Sequence, residues 1–234
     1  MAKEHTNDRN VRARQRGFTM IEMLIVVSVI VIIATIAVPN YLSSKVVANE
    51  AAVVATLRKV STAEELFRNG RYVDQDGNSW GEFGYLGELS GITALRSNGN
   101  YLKPAVLSPS FGFIDAEGFG MRHGYTFRLY LPNAAGLGVP EKPSTIGTVD
   151  PANAAQYFSC IAWPRVYGKS GYHTYFINQQ GEIVKTIDTH YSGTTGAPIA
   201  NCALIGVPVG VIAGNSLATG GTIGVDGNRW ISVQ

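Results

Sequence analysis

The 234-residue chain is poor in charged residues, and its charges almost cancel. Asp, Glu, Lys and Arg make up 15% of the sequence, and the formal net charge is +2. Average proteins contain roughly 25% charged residues. This even balance of positive and negative charges argues against general nucleic-acid binding, because such binding needs a strongly basic surface. The 27 glycines follow no G-X-Y repeat, which excludes collagen, and a hydrophobic share of 45% is typical of a globular protein.

The sequence also lacks the common catalytic motifs. It contains no G-x-S-x-G, H-E-x-x-H, C-x-x-C or P-loop pattern. Its four histidines show no spacing typical of metal ligands, although His173 and His190 flank a predicted hairpin and could meet. Asp115 and Glu117 lie in a glycine-rich loop without an obvious partner. The sequence therefore predicts a protein that is not an enzyme and has no catalytic residues.

One long hydrophobic segment dominates the amino-terminal region. Residues 18–38 read FTMIEMLIVVSVIVIIATIAV and carry a single charge, Glu22. About 20 apolar residues in a helix cross the hydrocarbon core of a membrane. Residues 1–17 hold five basic and two acidic side chains. The positive-inside rule therefore keeps them in the cytoplasm and exports the chain after about residue 40. No Ala-x-Ala site ends the segment, so a retained anchor is expected.

The single charge of this segment belongs to a motif. A carboxylate in lipid costs a few kcal/mol and therefore needs a use. Glu22 closes the sequence RGFTMIE, residues 16–22, where the basic and apolar parts meet. This sequence resembles the cleavage and methylation motif of type IV prepilins and type II secretion pseudopilins. The resemblance covers residues 12–41 and includes Pro39 near the end of the apolar segment.

The resemblance implies how the chain is processed and where it goes. A prepilin peptidase would cut between Gly17 and Phe18 on the cytoplasmic side and methylate the new amine of Phe18. The cut separates a leader, residues 1–17, from a transmembrane and polymerisation helix, residues 18–39, which Pro39 is expected to kink. The product would span the inner membrane once, with its head in the periplasm. It would then join a periplasmic pseudopilus or an extracellular pilus.

The resemblance also implies the partners. These are other copies of the chain and related pilins, the prepilin peptidase, an inner-membrane assembly platform and, before assembly, membrane lipid. The choices between pilus and pseudopilus, and between major and minor subunit, stay open. Two alternative functions are a membrane-anchored periplasmic binding protein or enzyme, and a minor pilin for DNA uptake. The near-neutral charge of the chain after residue 17 argues against the second.

Glu22 has a further expected role in filament assembly. In a helix that begins at Phe18, Phe18 and Glu22 share one face of the first turn. The amine released by cleavage could neutralise the Glu22 carboxylate within one subunit or between neighbours. A pair between subunits would set their axial register, because any other stagger leaves the carboxylate unpaired in an apolar core. The alternative is that Glu22 serves only in recognition by the peptidase.

Residues 40–69 change to the pattern of an amphipathic helix. Apolar residues recur at helical spacing, which indicates one buried face. These residues are Val53, Leu57, Val60 and Phe67. Asn69 and Gly70 form a stop signal, since both tolerate the left-handed conformation that ends helices. A head domain is expected to bury the apolar face.

Residues 70–234 are predicted to form an exported, β-rich head with a loop-rich start. Apolar segments bounded by turn residues predict strands at 125–131, 156–162, 174–178 and 182–187. The last two flank a short turn and predict a hairpin, hence an antiparallel sheet. The apolar stretch 203–213 is expected to form a core strand or a subunit contact. The fold class is therefore α+β, with a long helix packed on a small antiparallel sheet.

The two cysteines, Cys160 and Cys202, both lie on the exported side, where disulfides persist. A bridge between them is therefore expected. The alternative is two buried free thiols, because the sequence does not show that their Cα atoms come within bonding range.

One loop after the helix could bind a cation. It reads DQDGNSWGE over residues 74–82, and Asp74, Asp76, Asn78 and Glu82 offer oxygens of the kind that Ca²⁺ prefers. The loop lacks the glycine and glutamate positions of an EF-hand, and Asp-Gly-Asn is also a common turn. Calcium and an ordinary turn both stay open, and no other cofactor is expected.

Overall fold

The structure, a computed structural model, describes residues 17–188 and 191–233. The chain separates into two compact units, Met1–Leu42 and Ser43–Gln234. Apart from Gly17, the predicted leader lies outside the described residues. His190, which the sequence analysis placed near His173, lies outside them as well.

A single 50-residue helix, α1 (Met20–Asn69), begins in the first unit. There it is apolar on every side, and its side chains are exposed, Ile30 by 58% and Ile33 by 60% for example. It is long and apolar enough to cross a membrane. A helix that is apolar all round is normally buried. The first unit therefore needs a cover from outside this chain's described residues.

The second part of α1 is amphipathic, as predicted. The four residues of the expected apolar face are fully buried: Val53, Leu57, Val60 and Phe67. The helix ends at Asn69, and the N–H of Gly70 donates to the carbonyl of Leu66 at 2.9 Å. The predicted end of the helix is thus confirmed, although the left-handed residue is Arg71 (φ 53°) rather than Asn69 or Gly70.

The second unit contains an antiparallel sheet. Its strands are β1 (Gly120–Arg122), β2 (Tyr125–Pro132), β3 (Gly138–Pro140), β4 (Ser159–Pro164), β5 (Tyr175–Asn178), β6 (Ile183–Thr186), β7 (Thr222–Ile223) and β8 (Arg229–Ser232). The strand order is β1-β2-β4-β5-β6-β8-β7, and β3 also pairs with β2. Two one-turn helices, α2 (Leu86–Leu89) and α3 (Pro151–Ala154), lie in the connections. The predicted α+β class is confirmed.

Both faces of the sheet are buried, each in its own cluster. On one face, Leu129 of β2 and Ile177 of β5 pack with Leu57 of α1. On the other face, Trp163 of β4 packs with Leu204 of the carboxyl-terminal coil. Successive side chains of a strand point to opposite faces. The central strands β4 and β5 therefore bury every residue, rather than alternating between buried and exposed positions.

The predicted strands agree with β2, β4, β5 and β6 to within three residues. The predicted hairpin is confirmed, since β5 pairs with β6 in antiparallel register. The stretch 203–213 contains turns rather than the expected core strand. Leu204 and Ile212 within it are nevertheless buried. Gly206 and Gly210 have positive φ, and Pro208 has no N–H, so the stretch cannot extend as a strand.

Buried charges fix the loop-rich region between α1 and the sheet. The guanidinium of Arg96 lies 2.8 Å from Glu82 Oε2 and 2.5 Å from Glu88 Oε2. It also donates to the carbonyl of Phe83 at 2.6 Å. Breaking a buried pair of this kind leaves an uncompensated charge and is strongly destabilising. Arg96 thus holds Glu82 and Glu88 of this region together.

Two further buried carboxyl groups form no ion pair within residues 17–188 and 191–233. Glu64 of α1 accepts from the N–H of Gly84 at 2.8 Å, while its Oε1 is buried without a hydrogen-bond partner. Glu141 accepts from the N–H of Gly87 at 3.1 Å. Burial raises the pKa of Glu64 well above its usual range and raises the pKa of Glu141 to about 8. The carboxyl group of Glu141 is therefore largely protonated at neutral pH.

Candidate processing and assembly segment

The predicted cleavage site lies immediately before α1. Gly17 and Phe18 have no regular secondary structure, and Phe18 is 81% exposed. A Cβ added at Gly17 would meet no atom within 4 Å. The peptide bond between these residues is therefore accessible, and packing within the described residues does not require glycine at position 17.

Thr19 and Glu22 cap the amino terminus of α1. The N–H and the hydroxyl of Thr19 each donate to Glu22 Oε2 at 2.8 Å. In return, the N–H of Glu22 donates to Thr19 Oγ1 at 3.2 Å. This reciprocal arrangement is a capping box, and the helix dipole also favours a carboxylate there. The Thr-x-x-Glu pattern of a capping box is present in the sequence. It was not recognised there, because Glu22 was assigned to filament assembly.

The cap places Phe18 outside the helix. Because α1 begins at Met20 in the uncut chain, Phe18 lies outside its first turn. The expectation that Phe18 and Glu22 share the first turn concerns the chain after cleavage and stays a prediction. Glu22 Oε2 accepts both donors of Thr19, and no residue in the described ranges donates to Oε1. One oxygen of this exposed carboxylate thus remains for a donor from another chain.

Comparisons with known proteins match this segment, and one match extends over 111 residues of the chain. Residues 12–38 match the prokaryotic N-terminal methylation motif. The chain is 38% identical to the type IV wide pilus major component PilA4 of Thermus thermophilus over 111 residues, 74% of that protein and 47% of this chain. The chain belongs to the type IV pilin family. It is also 38% identical over 63 residues to the type IV major pilin protein PilA of Myxococcus xanthus.

The extent of these similarities differs. The match to the Myxococcus pilin spans 26% of this chain and only 29% of that protein. No solved structure matches the chain. Both relatives are named as pilus components, and nothing in the comparisons points to catalysis.

Pro39 lies inside α1, which continues through it as one helix. Proline removes one intrahelical hydrogen bond, because it has no N–H. The kink expected at this position stays a prediction.

The two cysteines are free and buried, each in a different cluster. Cys160 of β4 belongs to the cluster on the α1 side of the sheet, and Cys202 belongs to the cluster on the opposite side. The structure therefore has the alternative arrangement, two buried thiols, and not the expected bridge. Burial raises the pKa of both thiols, which keeps them protonated and unreactive.

The loop of the calcium hypothesis is organised by its own backbone. Asp74 accepts from the N–H groups of Asn78 and Ser79, and Asp76 accepts from the N–H and side-chain amide of Asn78. Glu82 is turned into the buried network with Arg96. Among the described residues, no group of three or more acidic, His or Cys side chains could hold a metal ion. The structure favours the turn, and calcium binding stays a prediction.

The other polar residues singled out in the sequence have local contacts. His173 Nδ1 lies 3.1 Å from the carbonyl of Thr186. Asp115 Oδ1 accepts from the N–H groups of Glu117 and Phe119 at 3.0 and 2.9 Å. Such contacts hold loops in place. Glu141 was missed because nothing in its sequence context distinguishes it from a surface glutamate. Glu64 did carry a signal, since it lies four residues after Val60 and three before Phe67, at the helical spacing of the buried face.

Proposed function

We propose that this chain is a structural subunit of a type IV pilus-like filament, which forms through the exposed apolar part of α1. One observation carries the proposal: the match to the methylation motif at residues 12–38 includes an uncovered apolar helix, which begins at Met20. Membrane lipid would cover this helix before assembly, and the helices of neighbouring subunits would cover it afterwards. The second unit needs no such cover, because it has its own core.

Processing by a prepilin peptidase would prepare the helix for this role. The enzyme would cut after Gly17 and methylate the amine of Phe18. The basic residues before the motif would hold the site on the cytoplasmic side of the inner membrane, with the second unit in the periplasm. An inner-membrane platform would then add the subunit to the filament. The exposure of Gly17 and Phe18 supports cleavage before assembly, since the peptide bond between them is accessible in the unassembled chain.

Glu22 would direct the register of the filament. Its Oε2 caps its own helix through Thr19, and its Oε1 can accept from the Phe18 amine of a neighbour. A carboxylate without that partner would be costly inside an apolar filament core. The names of both relatives favour a pilus over a pseudopilus and a major over a minor subunit.

The mass of the mature protein tests the processing step. In a host with a prepilin peptidase, we expect the intact mass of a chain that begins at N-methylated Phe18. Gly17→Leu should remain uncut, while Gly147→Leu, at another position with open space around it, should be cut normally. Because a Cβ at either position meets no atom within 4 Å, a failure at Gly17 reports on the peptidase and not on folding. A wild-type chain that retains residues 1–17 would contradict the proposal.

The composition of surface filaments tests the structural role. We expect this chain to be a principal component of filaments sheared from cells and identified by mass spectrometry. Recovery only as a membrane-bound monomer would contradict the filament proposal and favour an anchored binding protein.

A further inference from the structure

A large cleft of the second unit lies where α1 ends. It encloses about 940 Å³, which lies within the usual range for small-molecule sites. Its lining includes Arg68, Arg71, Trp80, Gln156, Tyr157 and Asn215, and no acidic residue. Neither the cleavage motif nor the apolar part of α1 uses this region.

The cleft carries two guanidinium groups with unused donors. Neither Arg68 nor Arg71 has a side-chain hydrogen bond or an ion pair within residues 17–188 and 191–233. The guanidinium of Arg68 lies 4.8 Å from the centre of the Phe83 ring, which fixes its position without occupying its donors. Guanidinium groups with free donors bind carboxylates in bidentate geometry. The cleft is therefore suited to an anionic ligand.

Trp80 supplies an exposed aromatic face at the same place. It is 75% exposed, whereas Trp163 and Trp230 are fully buried. Its backbone N–H donates to Asn78 Oδ1 at 2.7 Å, so a hydrogen-bonded loop holds it. Gly81 brings this loop against the helix end, since a Cβ there would lie 1.9 Å from the carbonyl oxygen of Arg68. The backbone of Trp80 is thus held beside the end of α1, and Trp80 lines the same cleft as the two arginines.

We propose that this cleft binds an acidic saccharide, with Arg68 and Arg71 on its carboxylate and Trp80 against the C–H face of a sugar ring. The amides of Gln156 and Asn215 and the hydroxyl of Tyr157 are of the type that hydrogen-bonds sugar hydroxyl groups. A single-stranded nucleic acid would instead need a longer track of cations for its phosphates. This cleft offers two cations in a chain whose net charge is +2.

Tryptophan fluorescence of the full chain provides a direct readout, because Trp80 is the one exposed tryptophan of the three. The protein would be held in an amine-oxide detergent, which has no sugar headgroup to compete. The probes are trigalacturonic acid, its fully methyl-esterified form, inorganic phosphate and a hexathymidylate. We expect a saturable shift with trigalacturonic acid and at least tenfold weaker binding of the ester, since the ester has lost its negative charges. We expect no saturable shift with phosphate or hexathymidylate.

Calorimetric titration of variants locates the site. Trp80→Ala and Arg71→Gln should each weaken binding of trigalacturonic acid at least tenfold. Phe113→Ala and Arg165→Gln are matched controls, an exposed aromatic and an exposed arginine outside the cleft, and should stay within twofold of the wild type. No saturable binding of the acid, equal binding of the ester, tighter binding of the hexathymidylate, or equal losses in the controls would each overturn the proposal.

Discussion

Helix α1 uses the same kind of aliphatic residue in two opposite ways. In the first unit, Ile30 and Ile33 are more than half exposed, whereas in the second unit Val53 and Leu57 are fully buried. The difference does not lie in the local helix, which is continuous. It lies in what surrounds each part. The sheet covers the second part, and no described residue of this chain covers the first.

The contrast shows which part of the molecule is self-sufficient. The second unit has clusters on both faces of its sheet and can satisfy its apolar surface alone. The first unit has an apolar surface that only lipid or other chains can bury. Stability should therefore depend on the second unit and assembly on the first.

Two matched side-chain truncations, one in each part of α1, test this division of roles and have the largest expected effect. Leu57→Ala should lower the free energy of unfolding of the second unit by about 2–5 kcal/mol, because it leaves a cavity in a buried cluster. Ile30→Ala should leave that free energy unchanged, since its side chain packs on nothing in the described chain. Denaturant unfolding in detergent, followed by the fluorescence of the buried tryptophans, measures both. Equal losses in the two variants would contradict the division of roles.

The buried acids of the second unit predict a dependence of stability on pH. Burial raises the pKa of Glu141 to about 8, against 4.5 for a free glutamate. Between these values the folded chain holds a proton that the unfolded chain has released. The stability that this group contributes is therefore complete below about pH 4.5 and is lost as the pH rises towards 8, by up to about 1.4 kcal/mol per pH unit. Glu141→Gln should flatten this fall.

The control for this prediction is Glu65→Gln, at an exposed position of α1. Unfolding measured from pH 5 to pH 8 should give parallel curves for this variant and the wild type. The buried neighbours Glu64, Glu82, Glu88 and Arg96 are the same in all three proteins, so the difference reports on Glu141 together with its influence on the pKa of Glu64. A Glu141→Gln curve as steep as that of the wild type would refute the assignment.

The smallest expected effect concerns calcium. The oxygens of Asp74 and Asp76 already accept backbone N–H groups, and Glu82 pairs with Arg96. We therefore expect equal thermal unfolding midpoints with calcium and with chelator. A midpoint that rises with calcium in the wild type, but not in Asp76→Asn, would show that the loop at residues 74–82 binds calcium.

The sequence predicted elements where one residue pattern decides the outcome. The stripe that includes Leu57, the stop at Asn69 and the hairpin of β5 and β6 depend on local periodicity and turn residues, and all are confirmed. The motif at Gly17 and Glu22 was equally visible, because its residues are contiguous.

The features that the sequence did not reveal depend on distant contacts. Cys160 and Cys202 fall on opposite sides of the sheet, which only the strand order determines. The network of Arg96 joins residues that the chain brings together through a loop. The capping role of Glu22 was missed for a different reason. Its Thr-x-x-Glu pattern is local, but the carboxylate had already been assigned to filament assembly.

Filament assembly of Glu22 variants tests the central claim, that the first unit is an assembly device with its register set by this carboxylate. Cleavage and assembly would be scored separately in Glu22→Gln, Glu22→Ala, Thr19→Val and Glu65→Gln. Thr19→Val removes the side-chain part of the cap while keeping the carboxylate, so it separates capping from pairing between chains. We predict that both Glu22 variants are cut but form no filaments, whereas Thr19→Val and Glu65→Gln assemble. Normal filaments from both Glu22 variants would contradict the account.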